Sequence, residues 1–335
     1  MRAVLLDAYG QIEDEPLLVT ERDDPEPGTG QVLVKVAACG VCRSNLHMVE
    51  GHWAGVPSIF PIIPGHEVVG TVEALGEGVT GFDVGDRVGV QPIWSTCGRC
   101  EYCLSGREQL CQSKEITGET VDGGYAEYML ATAGHTHPLP DELDFADAAP
   151  LFCPGITAYG SVAKASLSPT KSVAVFGVGG VGHVVLQLAA LYGGDVIAVS
   201  RGAAHLELAR ELGASRTVDA SREDPGETLA KSGGVDAAIV FAPSDAVVAQ
   251  AVQATKPGGI IILGVHATIG QVQFAEEKVV VGSILGSRQQ MREVLQLAAA
   301  SKLRAVCEPY PLAEANQALM RLKRGEIKAR AVLVT

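Results

Sequence analysis

Four cysteines fall within sixteen residues in the stretch TCGRCEYCLSGREQLC, residues 96–111. Cys97, Cys100, Cys103 and Cys111 follow the pattern Cys-x-x-Cys-x-x-Cys-x7-Cys, and Gly98, Ser105 and Gly106 supply the turns that let a short loop fold round a point. Four thiolates converging at about 2.3 Å from one ion make a closed tetrahedral zinc site, with no position left for a substrate. Such a site organises a lobe, here about residues 94–112. An iron-sulfur cluster is the competing use of four cysteines, but the Cys-Pro that often ends such a run is missing.

A second stretch points to a different chemistry. Gly177-x-Gly179-Gly180-x-Gly182, with Val181 in the same turn, directly follows the strand-like SVAVF and opens a helical run. In that context backbone N–H groups at a helix N-terminus face a dinucleotide pyrophosphate. At the end of the next strand, where an NAD-preferring protein presents a carboxylate to the ribose 2′-hydroxyl, this chain has Ser200 and Arg201. A guanidinium accepts a 2′-phosphate by charge-assisted bonds, which favours NADP. In the opposing reading Arg201 points to solvent and either cofactor binds.

The elements that must carry these residues follow from pattern. The 335-residue chain is 47% hydrophobic and 19% charged, enough for a large core and two domains. Its net charge of −13 and the lack of any basic run give no footprint for nucleic acid or an acidic membrane surface. The apolar run at the N-terminus is too short for a signal segment, and no stretch of 18 apolar residues occurs, so the expectation is a soluble, cytoplasmic protein. In that reducing compartment the eight cysteines are not expected to form disulfides. QVLVKVAA, EVVGTVEAL, DRVGVQ and GYAEYML read as short strands of a compact, barrel-like domain. From about Ser172 strands alternate with helical patterns, which argues for a doubly wound parallel sheet. A helix from Arg288, another near residues 312–322 and a terminal strand AVLV return to the first domain.

The motifs GVCRSNLH, PGHEVVG, GDRVGV, CGRCEYC, GGYAEY, CPGITAY, GVGGVG and GS-x-x-G-x-R, the last from Gly282 to Arg288, together resemble those of the zinc-dependent medium-chain alcohol dehydrogenases along essentially the whole chain. The resemblance implies an α/β fold: a GroES-like β-rich catalytic domain (1–151), a Rossmann cofactor domain (152–286) and a C-terminal segment (287–335) returning to the catalytic domain. It implies a catalytic zinc at Cys42, His66 and Cys153, which spacing alone does not select, and hence two Zn2+ per subunit. Two thiolates and an imidazole leave one tetrahedral position open for the oxygen of an alcohol or aldehyde. The reaction implied is hydride transfer between an alcohol and a nicotinamide, with Ser44 and His47 as the proton relay. His47 as a plain surface histidine is the competing reading.

Other positions are carried over from the same resemblance. Glu67 either approaches the metal during ligand exchange or anchors a loop. Arg43 and Arg288 match cofactor-contacting positions, Thr157 lies against the nicotinamide, and Val265 joins the cofactor set. Asn45 stands where many relatives have Asp; its amide oxygen is expected to accept from the His66 N–H. Pro92 replaces a substrate-pocket tryptophan, with Trp94 two residues on, and Trp53 is a candidate for the cleft. Cys39 and Cys307 read as small apolar residues. A homo-oligomer, tetramer before dimer, is expected. Two other classes stand beside the dehydrogenase: a reductase of activated double bonds that needs no catalytic zinc, and a non-catalytic cofactor-binding protein.

Overall fold

The computed structural model describes residues 1–335, which form two compact units: Met1–Cys153 with Ser287–Thr335, and Pro154–Gly286. The first division falls after Cys153 rather than after residue 151.

The first unit is β-rich. Its main sheet runs in the order Cys307–Pro311, Arg330–Val334, Gln31–Gly40, Val68–Leu75, Arg87–Val90, Thr136–Pro138, with Tyr128–Thr132 also paired to Gln31–Gly40. All pairings are antiparallel except that of Cys307–Pro311 with Arg330–Val334. The long strand Gln31–Gly40 is the spine. Its register against Val68–Leu75 shifts between Leu33 and Val34 and again between Val36 and Ala38, and such bulges bend a strand and turn a sheet towards closure. The C-terminal segment is part of this core: Tyr310, Leu312, Ala315, Ala318, Leu319, Ala331 and Leu333 are buried in one cluster with Val32, Val34, Val68 and Val88. Only the end of the expected strand GYAEYML pairs in the sheet, as Tyr128–Thr132.

The second unit is a six-stranded parallel sheet in the order Arg216–Asp219, Asp195–Ser200, Ser172–Phe176, Val235–Val240, Thr255–Leu263, Val279–Gly282. Helices Gly182–Ala190, Ala203–Glu211, Pro225–Lys231 and Asp245–Ala254 connect the strands. The central strands carry buried apolar runs, residues 173–176 in one and 237–240 in its neighbour, because a parallel sheet is covered on both faces. The strand order reverses between Ser172–Phe176 and Val235–Val240, the place where doubly wound sheets bind dinucleotides. No helix in the chain is long and apolar enough to cross a membrane.

Candidate active site and metal centres

Three distant segments of the first unit bring Cys42, His66, Glu67 and Cys153 together, with one ligand atom from each lying within 4.8 Å of the others. Cys42 caps the helix Arg43–Val49. His66 follows Gly65, whose φ of +98° and contact with the Tyr125 ring leave no room for a side chain: an added Cβ would stand 2.4 Å from Tyr125 Cδ1. The backbone around Gly65 is pinned by Gly123 N–H to the Ile63 carbonyl (2.7 Å), Gly124 N–H to Gly65 (2.9 Å) and Tyr125 N–H to Pro64 (2.9 Å). Cys153 follows the short helix Ala149–Phe152, and the Phe152 ring fills the space above Gly89, where a Cβ would come within 1.9 Å of it.

The donor set suits a metal ion. Cys42 Sγ and Cys153 Sγ are 4.0 Å apart, close to the roughly 3.8 Å between sulfurs of a tetrahedral zinc with bonds of about 2.3 Å. The hydrogen bond from Cys153 does most to hold the Cys42 thiol well below its usual pKa; Arg330 and His66 add positive charge, and burial opposes. His66 is buried, with Nε2 3.5 Å from Ser44 Oγ and 3.9 Å from Glu67 Oε1, while its Nδ1 has no partner. Ser44 and His47 lie on the helix that Cys42 begins, and both are half-buried.

Behind the cluster stands a residue that sequence reasoning missed. Arg330 is 4% exposed and Glu67 0%. Arg330 Nε donates to Glu67 Oε2 at 3.2 Å, and Arg330 Nη2 contacts Glu67 Oε1. The carboxylate lies over Gly40, where an added Cβ would stand 1.9 Å from Oε2. The available signal was an arginine at the head of the apolar terminal strand RAVLV.

One expected bond is not made. Asn45 Oδ1 accepts from the Cys42 N–H at 3.0 Å and from the Tyr125 hydroxyl at 3.2 Å, not from His66. The short turn from Cys42 to Asn45 and the buried phenol claim the amide oxygen.

In the lobe, Cys97 Sγ lies 3.9 Å from Cys103 and 3.6 Å from Cys111, and Cys100 lies 3.5 Å from Cys103. All are free thiols, and their spacing again matches the edge of a zinc tetrahedron. Gly98 and Gly106, with φ of +66° and +67°, make the turns. N–H groups of Arg99 and Cys100 lower the Cys97 thiol to about 6. Both donor sets therefore fit zinc.

In the second unit, Gly177 has φ +100° and its N–H bonds the Val199 carbonyl at 2.8 Å. A Cβ on Gly182 would stand 1.8 Å from Gly177 O, so helix and turn touch, whereas nothing lies within 4 Å of one on Gly179. The N–H groups of Gly180 and Val181 donate to no group of the chain. That open, donor-lined turn fits a pyrophosphate. Ser200 ends its strand half-buried and Arg201 is exposed. Thr157 lies half-buried on the helix Pro154–Lys164, its carbonyl accepting from Ser161, and Val265 packs on the core of the sheet.

Several residues have other partners than the sequence suggests. Arg43 Nη2 donates to Leu322 O at 3.0 Å. Arg288 is bonded through Nε to Glu108 (3.2 Å) and through Nη1 to Gly134 O (2.8 Å). The Trp94 indole donates to Leu130 O at 3.0 Å and Pro92 is buried, while Trp53 packs beside His47. Cys39 is buried, and Cys307 is pushed up to about 12 by burial.

Comparison with known proteins agrees with this architecture. Residues 28–141 match the alcohol dehydrogenase GroES-like domain and residues 180–300 the zinc-binding dehydrogenase domain. The chain is 40% identical over 339 residues to an alcohol dehydrogenase of Geobacillus stearothermophilus, covering 99% of each. It is 35% identical to an NAD-dependent alcohol dehydrogenase of Saccharolobus solfataricus over the full length of both. The crystal structure of the alcohol dehydrogenase of Aeropyrum pernix, 34% identical, superposes with a TM-score of 0.92 over 100% of both chains. The chain belongs to the zinc-binding medium-chain alcohol dehydrogenase family.

Proposed function

We propose that the protein is a zinc-dependent, nicotinamide-linked alcohol dehydrogenase that moves a hydride between an alcohol and the cofactor, interconverting the alcohol with an aldehyde or ketone. The observation that carries this reading is the convergence of Cys42, His66 and Cys153 from three distant segments into one buried cluster beside the Ser44 hydroxyl. Zinc bound there supplies Lewis acidity at the alcohol oxygen and lowers its pKa. Cys42, His66 and Cys153 are the residues that would hold the ion. Glu67, fixed by Arg330, anchors the loop that carries His66. Ser44 receives the alcohol proton and His47 passes it outward. Cys97, Cys100, Cys103 and Cys111 would hold a second, structural zinc.

For the cofactor, the turn from Gly177 through Gly179, Gly180, Val181 and Gly182 cradles the pyrophosphate, and Thr157 and Val265 bear on the nicotinamide. Arg43 and Arg288 add phosphate contacts through the Nη atoms that their protein partners leave free. The pairing of Ser200 with exposed Arg201, and no carboxylate at either position, supports NADP over NAD. A cytoplasmic homo-oligomer, tetramer before dimer, completes the reading, and sedimentation velocity tests the assembly. The deciding experiment assays primary, secondary and aromatic alcohols and aldehydes with both cofactors, before and after chelation, beside metal analysis. Activity that survives full zinc removal, or active protein whose only zinc sits on the four-cysteine lobe, overturns the reading.

A further inference from the structure

The helix Arg43–Val49 is followed by a turn that folds His52 back onto His47. The His52 N–H donates to the His47 carbonyl at 2.9 Å, and the two ring Nδ1 atoms meet at 3.0 Å, so one ring donates and the other accepts. Trp53 lies on His47 with ring centroids 5.3 Å apart. His47 is half-buried, whereas the His52 side chain is 50% exposed. Its Nε2 points towards Glu50 Oε2, 3.7 Å away. Glu50 itself is buried and held: Lys323 Nζ, on the helix Ala315–Arg324, bonds its Oε1 at 2.7 Å, the Ile12 N–H reaches the same atom at 3.3 Å, and Lys323 also pairs with Glu13.

We infer that His52 acts through His47 as a positioning residue and proton outlet, forming with it a two-histidine path from the reacting centre to water. The inference rests on the proposed role of His47 in taking the alcohol proton. With neutral His47 donating its Nδ1–H to His52, a proton arriving at His47 Nε2 is matched by transfer of the Nδ1 proton to His52 Nδ1. His52 then loses its Nε2 proton to water. One proton enters and one leaves, and exchange with water restores the starting tautomers. The charges around the pair suit this use. Burial does most to hold His47 below the usual histidine range; His52 and Arg43 add to the effect, and Cys42 and Glu50 oppose it. His47 is thereby neutral and able to accept near pH 7. Glu50, restrained by Lys323, keeps a fixed acceptor beside the His52 edge that faces solvent.

The test compares His52→Gln, His52→Ala and His47→Gln with the parent, using the panel alcohol that turns over fastest. Proton release is followed with an indicator dye in single-turnover stopped flow. Glutamine keeps a hydrogen bond to His47 but carries no proton, so His52→Gln should release protons about tenfold more slowly near pH 7, with a larger solvent deuterium isotope effect. The deficit should vanish at about pH 9, where hydroxide can take the proton directly, and imidazole should restore His52→Ala. As a readout without turnover, NMR titration of cofactor-free protein should place the His47 ring higher in His52→Gln, because the His52 ring that holds it down has gone. If both His52 variants release protons like the parent at every pH while His47→Gln is slow, the outlet is refuted and the relay stands. If His47→Gln is also unimpaired, the relay beneath it falls as well.

Discussion

Replacing Arg330 by methionine removes the only cation bonded to a carboxylate that water does not reach. Glu67 is 0% and Arg330 4% exposed, and two contacts join them. Solvent screening is therefore slight, and the scale for a buried pair applies: removing one partner costs about 3–5 kcal/mol, because the other is left as an uncompensated buried charge. For a unit of this size each kcal/mol lowers the melting temperature by about 2–4 °C, so the fall should be about 6–20 °C. Calorimetry on zinc-free protein is the right assay, since bound metal would add its own stabilisation and hide part of the loss. The double variant Arg330→Met, Glu67→Gln should regain at least about half of it, because the charge that suffered is gone. A second readout follows from the same geometry. Arg330 is one of the charges that depress the Cys42 thiol, so in the variant that thiol moves up and its alkylation in metal-free protein shifts to higher pH. A melting temperature within about 2 °C of the parent, or a double variant no more stable than the single one, would refute the claim that the pair acts as one buried unit.

Three further outcomes can be checked directly. Gly40→Ala forces a methyl to 1.9 Å from Glu67 Oε2, and since neither Glu67 nor its partner can shift into solvent, the variant should lose about 3 kcal/mol of stability in denaturant titrations, the upper end of the usual cost of overpacking. In zinc-free protein Cys97, with its thiol at about 6, should be the lobe cysteine most readily alkylated near neutrality; thiolate forms above the pKa, so the reaction should persist well below the pH at which an ordinary cysteine stops reacting, as mass spectrometry of the modified peptides can show. Arg201→Ala should raise KM for NADP by about 10- to 100-fold, the value of lost charge-assisted bonds, and leave KM for NAD nearly unchanged; equal effects on both would remove Arg201 from phosphate recognition.

What the sequence disclosed was whatever its local pattern determines. The glycine turn after SVAVF and the alternation that follows are consecutive, so the parallel sheet and its pyrophosphate cradle could be read in order. The four lobe cysteines are equally local, and their sulfurs come together with the spacing of a tetrahedron. Cys42, His66 and Cys153 come from segments whose meeting depends on closure of the first unit's sheet, and only resemblance could select them. Arg330 escaped notice because an arginine before an apolar strand usually ends in solvent; here the strand Arg330–Val334 enters the sheet beside Gln31–Gly40 and carries the guanidinium inside. The Asn45 expectation failed for a related reason. The amide was assigned to the nearest interesting partner, whereas Tyr125 and the N–H of Cys42 reach it first.

These failures fall in one place, and that has a physical meaning. A β-rich core gains nothing in stability from a buried histidine, a buried carboxylate and a buried guanidinium, all of which cost hydration when the chain folds. In this chain His66, Glu67, Asn45 and Arg330 are all at most 4% exposed, and His66 Nδ1 and Asn45 Nδ2 find no partner at all. A sequence under selection for stability alone would replace such a set by aliphatic residues of similar volume. The set persists beside Cys42 and Cys153, where a divalent cation would convert the concentrated negative charge from a penalty into binding energy. By the same argument zinc at the two proposed sites would act on folding in two ways: the lobe site would close a loop of its own, while the Cys42, His66 and Cys153 site would neutralise a cost distributed over three segments of the first unit. Removing zinc from the second should therefore loosen the loop around Gly65 and the Cys153 turn together, which hydrogen exchange at Gly124, Tyr125 and Cys153, whose N–H groups bond Gly65, Pro64 and Pro150, would register as a joint loss of protection. Loss of protection confined to one segment would mean that the three are held by packing alone, and that the buried charges are balanced without the ion.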